Sequence, residues 1–314
     1  SATIQGIPTE QYRFRSVSAD VPIYTFTKTV ASRGMAFEIV STTFRGSENI
    51  YEEPPVPGNQ LGFIYRNDGT GPASANTGFF FMFKQGSLEL ADFSIDTPTT
   101  NEKIAVNAFN INNDDVWLFK LAGNGAQLNR WAKVSNLIGN NIVYNSISNN
   151  IRNIFSVQTK ENDAVDLVFA DGVYGNLPQG AFRVYYRVSN GISYTISPAE
   201  LRGINISVAY YNKKGVEHNI TIGLALQSTV ANSTPSESID SIRVNAPATY
   251  YTQNRMITGE DYNLAPLSSS QDILKIKSIN RTSSGISRNF EIIDASGKYS
   301  SVNVFADDGF IYKE

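Results

Sequence analysis

Apolar and polar residues alternate with period two along most of the chain, and Gly, Asn, Asp or Pro interrupts the runs about every eight to twelve residues. Alternation gives a strand one apolar face, so the pattern predicts an all-β body whose strands each cover a core on one side. The clearest pair sets Ile204, Ile206, Val208 and Tyr210 against Ile220, Ile222, Leu224 and Leu226, with Asn212-Lys213-Lys214-Gly215 as the turn. A second pair, 165–169 with 182–188, is predicted across a loop containing Gly and Pro. Further strands are expected at 79–83, 116–120, 192–196 and 302–305, while 30–50 fits helix or strand. Helices are expected at two places. One opens at Thr258, with Glu260 and Asp261 in its first turn, and is limited by Pro266. The other covers 233–243. The fold class expected is therefore mainly β with a few short helices (α+β), multidomain and elongated.

Pro98-Thr99, Ser197-Pro198 and Asn245-Ala246-Pro247 mark the expected breaks. They divide the chain into an N-terminal β-rich domain (1–98), a β domain (99–197), a β-hairpin with a connecting helix (198–245) and a C-terminal α+β domain (246–314). Segment 66–78 reads as an exposed excursion.

Composition narrows the chemistry. The 314 residues are 41% hydrophobic and 11% aromatic, enough apolar and aromatic content for packed cores and too much for a disordered chain. Lys+Arg 26 against Asp+Glu 29 gives a net charge of −3, and the basic residues are scattered, so no nucleic-acid partner is expected. The absence of Cys excludes disulfides, Cys-zinc sites and Cys nucleophiles, and the single His218 excludes sites built from several histidines. No run approaches the roughly 18 apolar residues of a membrane helix, so no membrane partner is expected. The chain begins with Ser and ends without a tail, as expected of a piece of a longer polypeptide.

Motif by motif, no catalytic residue, cofactor or metal ligand is expected. Gly123-Asn124-Gly125 lacks the third glycine of a dinucleotide loop and reads as a turn. Asp114-Asp115 and Asp307-Asp308-Gly309 lack calcium-loop spacing and read as solvated turns. His218 is expected at a surface or edge. Trp117 and Trp131, the only candidates for stacking sugars, sit in apolar contexts and are expected in the core.

One constellation stands apart. Phe169-Ala170-Asp171-Gly172-Val173-Tyr174-Gly175-Asn176-Leu177-Pro178-Gln179-Gly180 leads into the Tyr-rich 182–188 and then Ser189-Asn190-Gly191. The glycines permit positive φ, and Asp171 can accept from the amides of its own turn. Further on come Glu237-Ser238, Ala246-Pro247 and Arg255-Met256-Ile257-Thr258-Gly259-Glu260-Asp261-Tyr262. On these residues the chain resembles the baseplate J-like family of contractile-tailed phages and related injection machines. That family shows an F-G-D-G-x-x-G-x-x-P-x-G loop, a strand ending Y-R-x-S-x-G, and then A-P near R-x-V-T-x-x-D-Y. The match falls on Phe169, Asp171, Gly172, Gly175, Pro178, Gly180, Tyr186, Arg187, Ser189 and Gly191, then on the downstream residues. It departs at Ala170, where the family has Gly, at Ile257 for Val, and at Ser233-Thr234-Pro235 for Gly-Gly.

Within the family the chain is most similar to the C-terminal part of the large wedge subunit of T-even-type phages. The resemblance implies a non-enzymatic structural subunit of the virion, assembled in the bacterial host cytoplasm. Such a subunit self-associates, as homodimer or ring contacts around the hub, and keeps the baseplate connected through its switch. Other wedge proteins are the implied partners. Asp171, Gly172, Gly175, Pro178 and Gly180 are the implied structural loop. Interfaces are expected near Tyr250, Tyr251, Arg255, Asp261 and Tyr262 and in loop 66–78, with internal capping and packing as the competing role for Arg255 and Tyr262. A β-rich adhesin binding cell-surface glycans is the alternative function, and a polysaccharide-degrading tail enzyme is a further rival.

Overall fold

A computed structural model describes residues 1–278 apart from 46–48, 59, 138–141, 144–145, 148–150, 232, 234, 236–237, 253–256, 270–272 and 274. The chain divides into a β unit, residues 1–236, and a second unit, residues 237–314. The predicted strand at 302–305 lies outside the described residues.

The fold is mainly β. In chain order the strands are β1 (Ala2–Ile4), β2 (Ile7–Arg15), β3 (Tyr24–Val30), β4 (Arg33–Val40), β5 (Thr42–Arg45), β6 (Asn49–Glu52) and β7 (Gln60–Arg66). Next come β8 (Gly78–Phe80), β9 (Met82–Gln85), β10 (Ser87–Ile95), β11 (Lys103–Val106), β12 (Ile111–Leu121) and β13 (Gln127–Lys133). The last are β14 (Ile142–Val143), β15 (Ser146–Ile147), β16 (Ile154–Thr159), β17 (Val165–Phe169), β18 (Gly180–Val188), β19 (Ile204–Tyr211) and β20 (Glu217–Leu224). The ambiguous segment 30–50 holds β4, β5 and the start of β6 and no helix among its described residues, and its Met35, Phe37, Ile39 and Val40 are buried.

Seven strands in the order β10-β18-β12-β13-β16-β17-β11 make the central sheet. The pairing predicted between 165–169 and 182–188 does not form: β17 pairs with β16 and β11, and β18 with β10 and β12. Period-two alternation fixes which face a strand buries and leaves its neighbour open. In a flat sheet four strand spacings of about 4.8 Å would separate β17 from β18. Yet the rings of Phe169 and Phe182 lie 5.9 Å apart, both edge-on to Trp131. The sheet is therefore rolled, and its concave side holds one core of Ile95, Val116, Leu118, Trp131, Phe155, Leu167, Phe182 and Val184.

A second core joins distant parts of the sequence. It contains Val30, Met35, Phe37, Ile39 and Leu61 together with Ile196, Leu201, Ile204, Ile206 and Val208. Sheet β3-β4-β9 and the hairpin β19-β20 supply most of it. The hairpin has the predicted faces, with Ile206 opposite Ile222 and Val208 opposite Ile220. Asn212 closes its turn by accepting from the amides of Lys214 and Val216. Backbone pairing and packing thus run across the breaks expected at 98/99 and 197/198. β10 belongs to the central sheet, and the hairpin shares a core with the first hundred residues.

Two predicted strands change character. Segment 79–83 divides at Phe81, with β8 pairing to β7 and β9 to β4, so one apolar run serves two sheets. Segment 192–196 makes only a single bridge, Ile196 to Val230. Ser233 substitutes for a strand neighbour there: its hydroxyl accepts from the Tyr194 amide and donates to the Ile192 carbonyl.

The second unit contributes helices α1 (Ile239–Thr252) and α2 (Gly259–Ser269), which contact each other. α1 begins at Ile239 rather than at 233, with Ser238 before it capping the first turn as its hydroxyl accepts from the Ser241 amide. Both helices run through a proline, Pro247 in α1 and Pro266 in α2, so the break expected at 245–247 and the stop expected at Pro266 are not realised. Proline removes one hydrogen bond, here to the carbonyls of Arg243 and Tyr262 respectively.

Candidate functional site

β18 alternates between the two faces of the rolled sheet. Phe182, Val184 and Tyr186 enter the concave core, which places Tyr185 and Arg187 on the opposite face with Trp117 and Phe119. Arg187, the arginine of the Y-R-x-S-x-G motif, has only 1% of its surface exposed. A buried guanidinium needs anionic partners, and the fold supplies three from different strands. One guanidinium nitrogen donates to Asp115 of β12 at 2.9 Å and to Glu52 of β6 at 3.0 Å. The other donates to the second Glu52 oxygen at 2.9 Å and to Glu38 of β4 at 3.3 Å. Lys84 of β9 completes the cluster, bridging Glu52 at 2.7 Å and Asp115 at 2.5 Å. The guanidinium carbon also lies 5.9 Å from the centroid of the Trp117 ring.

Five strands from three separate sheets therefore meet at one charge cluster. Burial opposes the charge on Arg187, but Glu52, Asp115 and Glu38 more than offset this and hold its pKa above the ordinary value. Three carboxylates face two cations, leaving one surplus negative charge. Glu38 is the member whose charged form the site disfavours. Burial raises its pKa, opposed by Arg187 and by the Leu88 amide, which donates at 2.8 Å, while the neighbouring Glu52 charge adds to the rise.

A cleft of about 680 Å³ lies beside the cluster, bounded by Tyr51, the Pro54–Pro57 stretch, Val21 and Leu88. Its carboxylates are engaged. Glu53 pairs with Arg13 and accepts from the Ser41 hydroxyl at 2.7 Å; burial opposes ionisation, yet these partners lower its pKa. Glu52 and Glu38 belong to the arginine cluster. Trp117 and Trp131 are both buried, and His218 sits exposed on β20, 2.9 Å from the Asn212 side-chain nitrogen. Among the described residues no three His, Asp or Glu side chains are grouped to hold a metal ion.

The structural loop is built from short-range bonds. Asp171 accepts from the amides of Tyr174 at 3.0 Å and Val173 at 2.9 Å, and these bonds lower its pKa. Gly172 follows with φ +87°, a left-handed conformation that side chains disfavour. Gly175 is needed for space: a Cβ there would stand 2.7 Å from the side chains of both Ala170 and Ile154. Ala170, the departure from the family pattern, is buried and has no positive φ. Pro178 is buried, and Gly180 opens β18. Sequence reasoning missed Arg152, which clasps the loop by donating to the carbonyls of Gly172 and Val173 and to the Asn176 side chain. It also missed the three carboxylate partners of Arg187.

Loop 66–78 is an ordered excursion. Asp68 accepts from the hydroxyls of Thr70, Ser74 and Thr77 and from the Thr70 amide, which together depress its pKa strongly. In the second unit Asp261 and Thr258 form a reciprocal cap. Asp261 accepts from the amides of Ile257 and Thr258, and the Thr258 hydroxyl accepts from the Asp261 amide at 3.2 Å. Tyr250 is 76% exposed and Tyr262 48%. Tyr251 lies in α1, and Arg255 is outside the described residues.

Residues 1–229 match the model of a family described as "Domain of unknown function (DUF8360)", and the chain belongs to that family. No curated protein and no solved structure matches. The matched segment covers every strand of the β unit and excludes α1 and α2.

Proposed function

We propose that this DUF8360 chain is a non-enzymatic structural subunit of a phage-tail baseplate wedge, self-associating around the central hub and working alongside other wedge proteins in the virion. The observation that carries the reading is the job done by the residues of the resemblance. Asp171, Gly172 and Gly175 shape a loop held from within by Arg152, and Arg187 ties five strands through a buried charge cluster. Such devices fit a part that must transmit force without deforming, since a buried ionic hub resists the separation of the strands it joins. The exposed tyrosines Tyr250 and Tyr262 suit protein contacts.

The test is to raise an antibody against this chain and locate it by electron microscopy on contractile-tailed particles. Label confined to the baseplate supports the reading. Label absent from the tail, or specific capture of the chain on a cell-surface glycan array, overturns it, the second outcome in favour of the adhesin.

A further inference from the structure

We propose that the outer edge of β20 is a self-association surface on which two copies of this chain pair antiparallel about a two-fold axis at Ile222. The proposal deepens the self-association within the reading above and rests on that part of it.

Edge strands are hazards that proteins blunt with charge, proline, bulges or brevity. The other outer strands of the β unit follow that rule. β1 and β8 have three residues each. β3 carries Lys28, β9 Lys84, β10 Glu89 and Asp92, and β11 Lys103. β19 is uncharged, but its outer side lies against β2 and β3 and is bridged from Tyr210 to Ser16. β20 differs. Among the described residues it pairs only with β19, in unbroken register, and Asn219-Ile220-Thr221-Ile222-Gly223-Leu224 has no charge and no proline.

Its own sequence fits a second copy. With Ile222 opposite the partner's Ile222, Ile220 faces the partner's Leu224 and Thr221 faces the partner's Gly223. Ile220, Ile222 and Leu224 already pack on the second core, so the apolar layer continues across the axis, and four strands form one sheet. Charges agree with this register. Glu217 falls opposite the partner's Gln227 and His218 opposite the partner's Leu226, so no like charges meet. Beyond the paired stretch Val216, 53% exposed, falls opposite the partner's Ser228. Ser228 borders an apolar hollow of about 470 Å³ lined by Phe79, Phe81, Phe83, Leu224 and Leu226, with no charged side chain. The hollow supplies a seat for that valine.

The test uses the full chain. Light scattering during size-exclusion chromatography, over a wide concentration range, should show a dimer for the unaltered chain. Thr221→Lys and Thr221→Glu change an exposed position and, with unaltered circular dichroism, should each raise the dimer dissociation constant about tenfold. An equimolar mixture of the two should recover the dimer. Because the chain has no Cys, Ile222→Cys should give a covalent dimer on mild oxidation while Leu90→Cys, on the β10 edge, should not. A strict monomer, a dimer indifferent to both Thr221 substitutions, or equal cross-linking at Leu90 overturns the proposal. Loss of the β20 dimer with antibody label still on the baseplate removes only this surface. A β20 dimer without that label removes the baseplate reading and leaves the surface standing.

Discussion

The loop at Asp171 and the cluster at Arg187 lie sixteen residues apart and are held together by opposite means. The loop is closed by bonds from Asp171 to amides two and three residues on, with Arg152 reaching across to its carbonyls. The cluster draws on Asp115, Glu52 and Glu38, which are 72, 135 and 149 residues away. The first arrangement forms as soon as its segment adopts the turn. The second exists only once three sheets have assembled, so it reports on the docking of those sheets. A local device therefore sets a shape, and a distant one couples the sheets it joins.

Removing the distant device should be the most costly change. Arg187→Ala leaves buried carboxylates without their main partner and should lower stability by about 3–5 kcal/mol. Arg187→Lys should fall between, because an ammonium cannot serve three carboxylates with a planar fork. Trp117 lies against Arg187 and Trp131 in the rolled core, so tryptophan fluorescence during urea unfolding reads both sides of the sheet. A loss under 1 kcal/mol for Arg187→Ala would show that the sheets hold together without the cluster.

Gly175→Ala probes the local device through packing. A methyl 2.7 Å from Ile154 and Ala170 must displace them, at a cost of about 1–3 kcal/mol in the same urea experiment. The Thr258 cap offers a reference in the second unit. Thr258→Ala should cost about 1 kcal/mol of local stability, seen as faster amide exchange in the first turn of α2.

The smallest effects carry opposite signs with pH. The pKa of Asp171 is lowered in the folded chain, so its stabilisation is present above the ordinary value of 3.8 and is lost as pH falls through the folded value. The pKa of Glu38 is raised by burial above 4.5, so the fold disfavours its charged form, and stability declines as pH rises through that interval. The advantage of the unaltered chain over Asp171→Asn should therefore shrink in acid. Its standing relative to Glu38→Gln should improve there. Parallel pH profiles for the two variants would contradict the rise in the Glu38 pKa that its burial produces.

Much of this was legible in the residues themselves. Alternation located the hairpin β19-β20 and the buried faces of β17 and β18, and turn chemistry located Asn212, Asp171 and the Thr258–Asp261 cap. The motif containing Arg187 was visible, whereas its burial partners were not. Glu38, Glu52 and Lys84 look like ordinary surface charges until the sheets meet, and Asp115, expected in a solvated turn, is instead buried in β12 because Arg187 and Lys84 neutralise it there.

By itself the sequence determined the β character, the apolar side of each strand and the closures that span two to four residues, because these depend on side chains and backbone within one short segment. The tertiary structure alone decided that β17 and β18 are not neighbours, that residues near 35 and 205 share a core, and that β20, among the described residues, pairs on one side only. Those outcomes depend on which apolar face finds which, a choice among surfaces of nearly equal hydrophobicity that alternation leaves open and that shape and buried charge resolve.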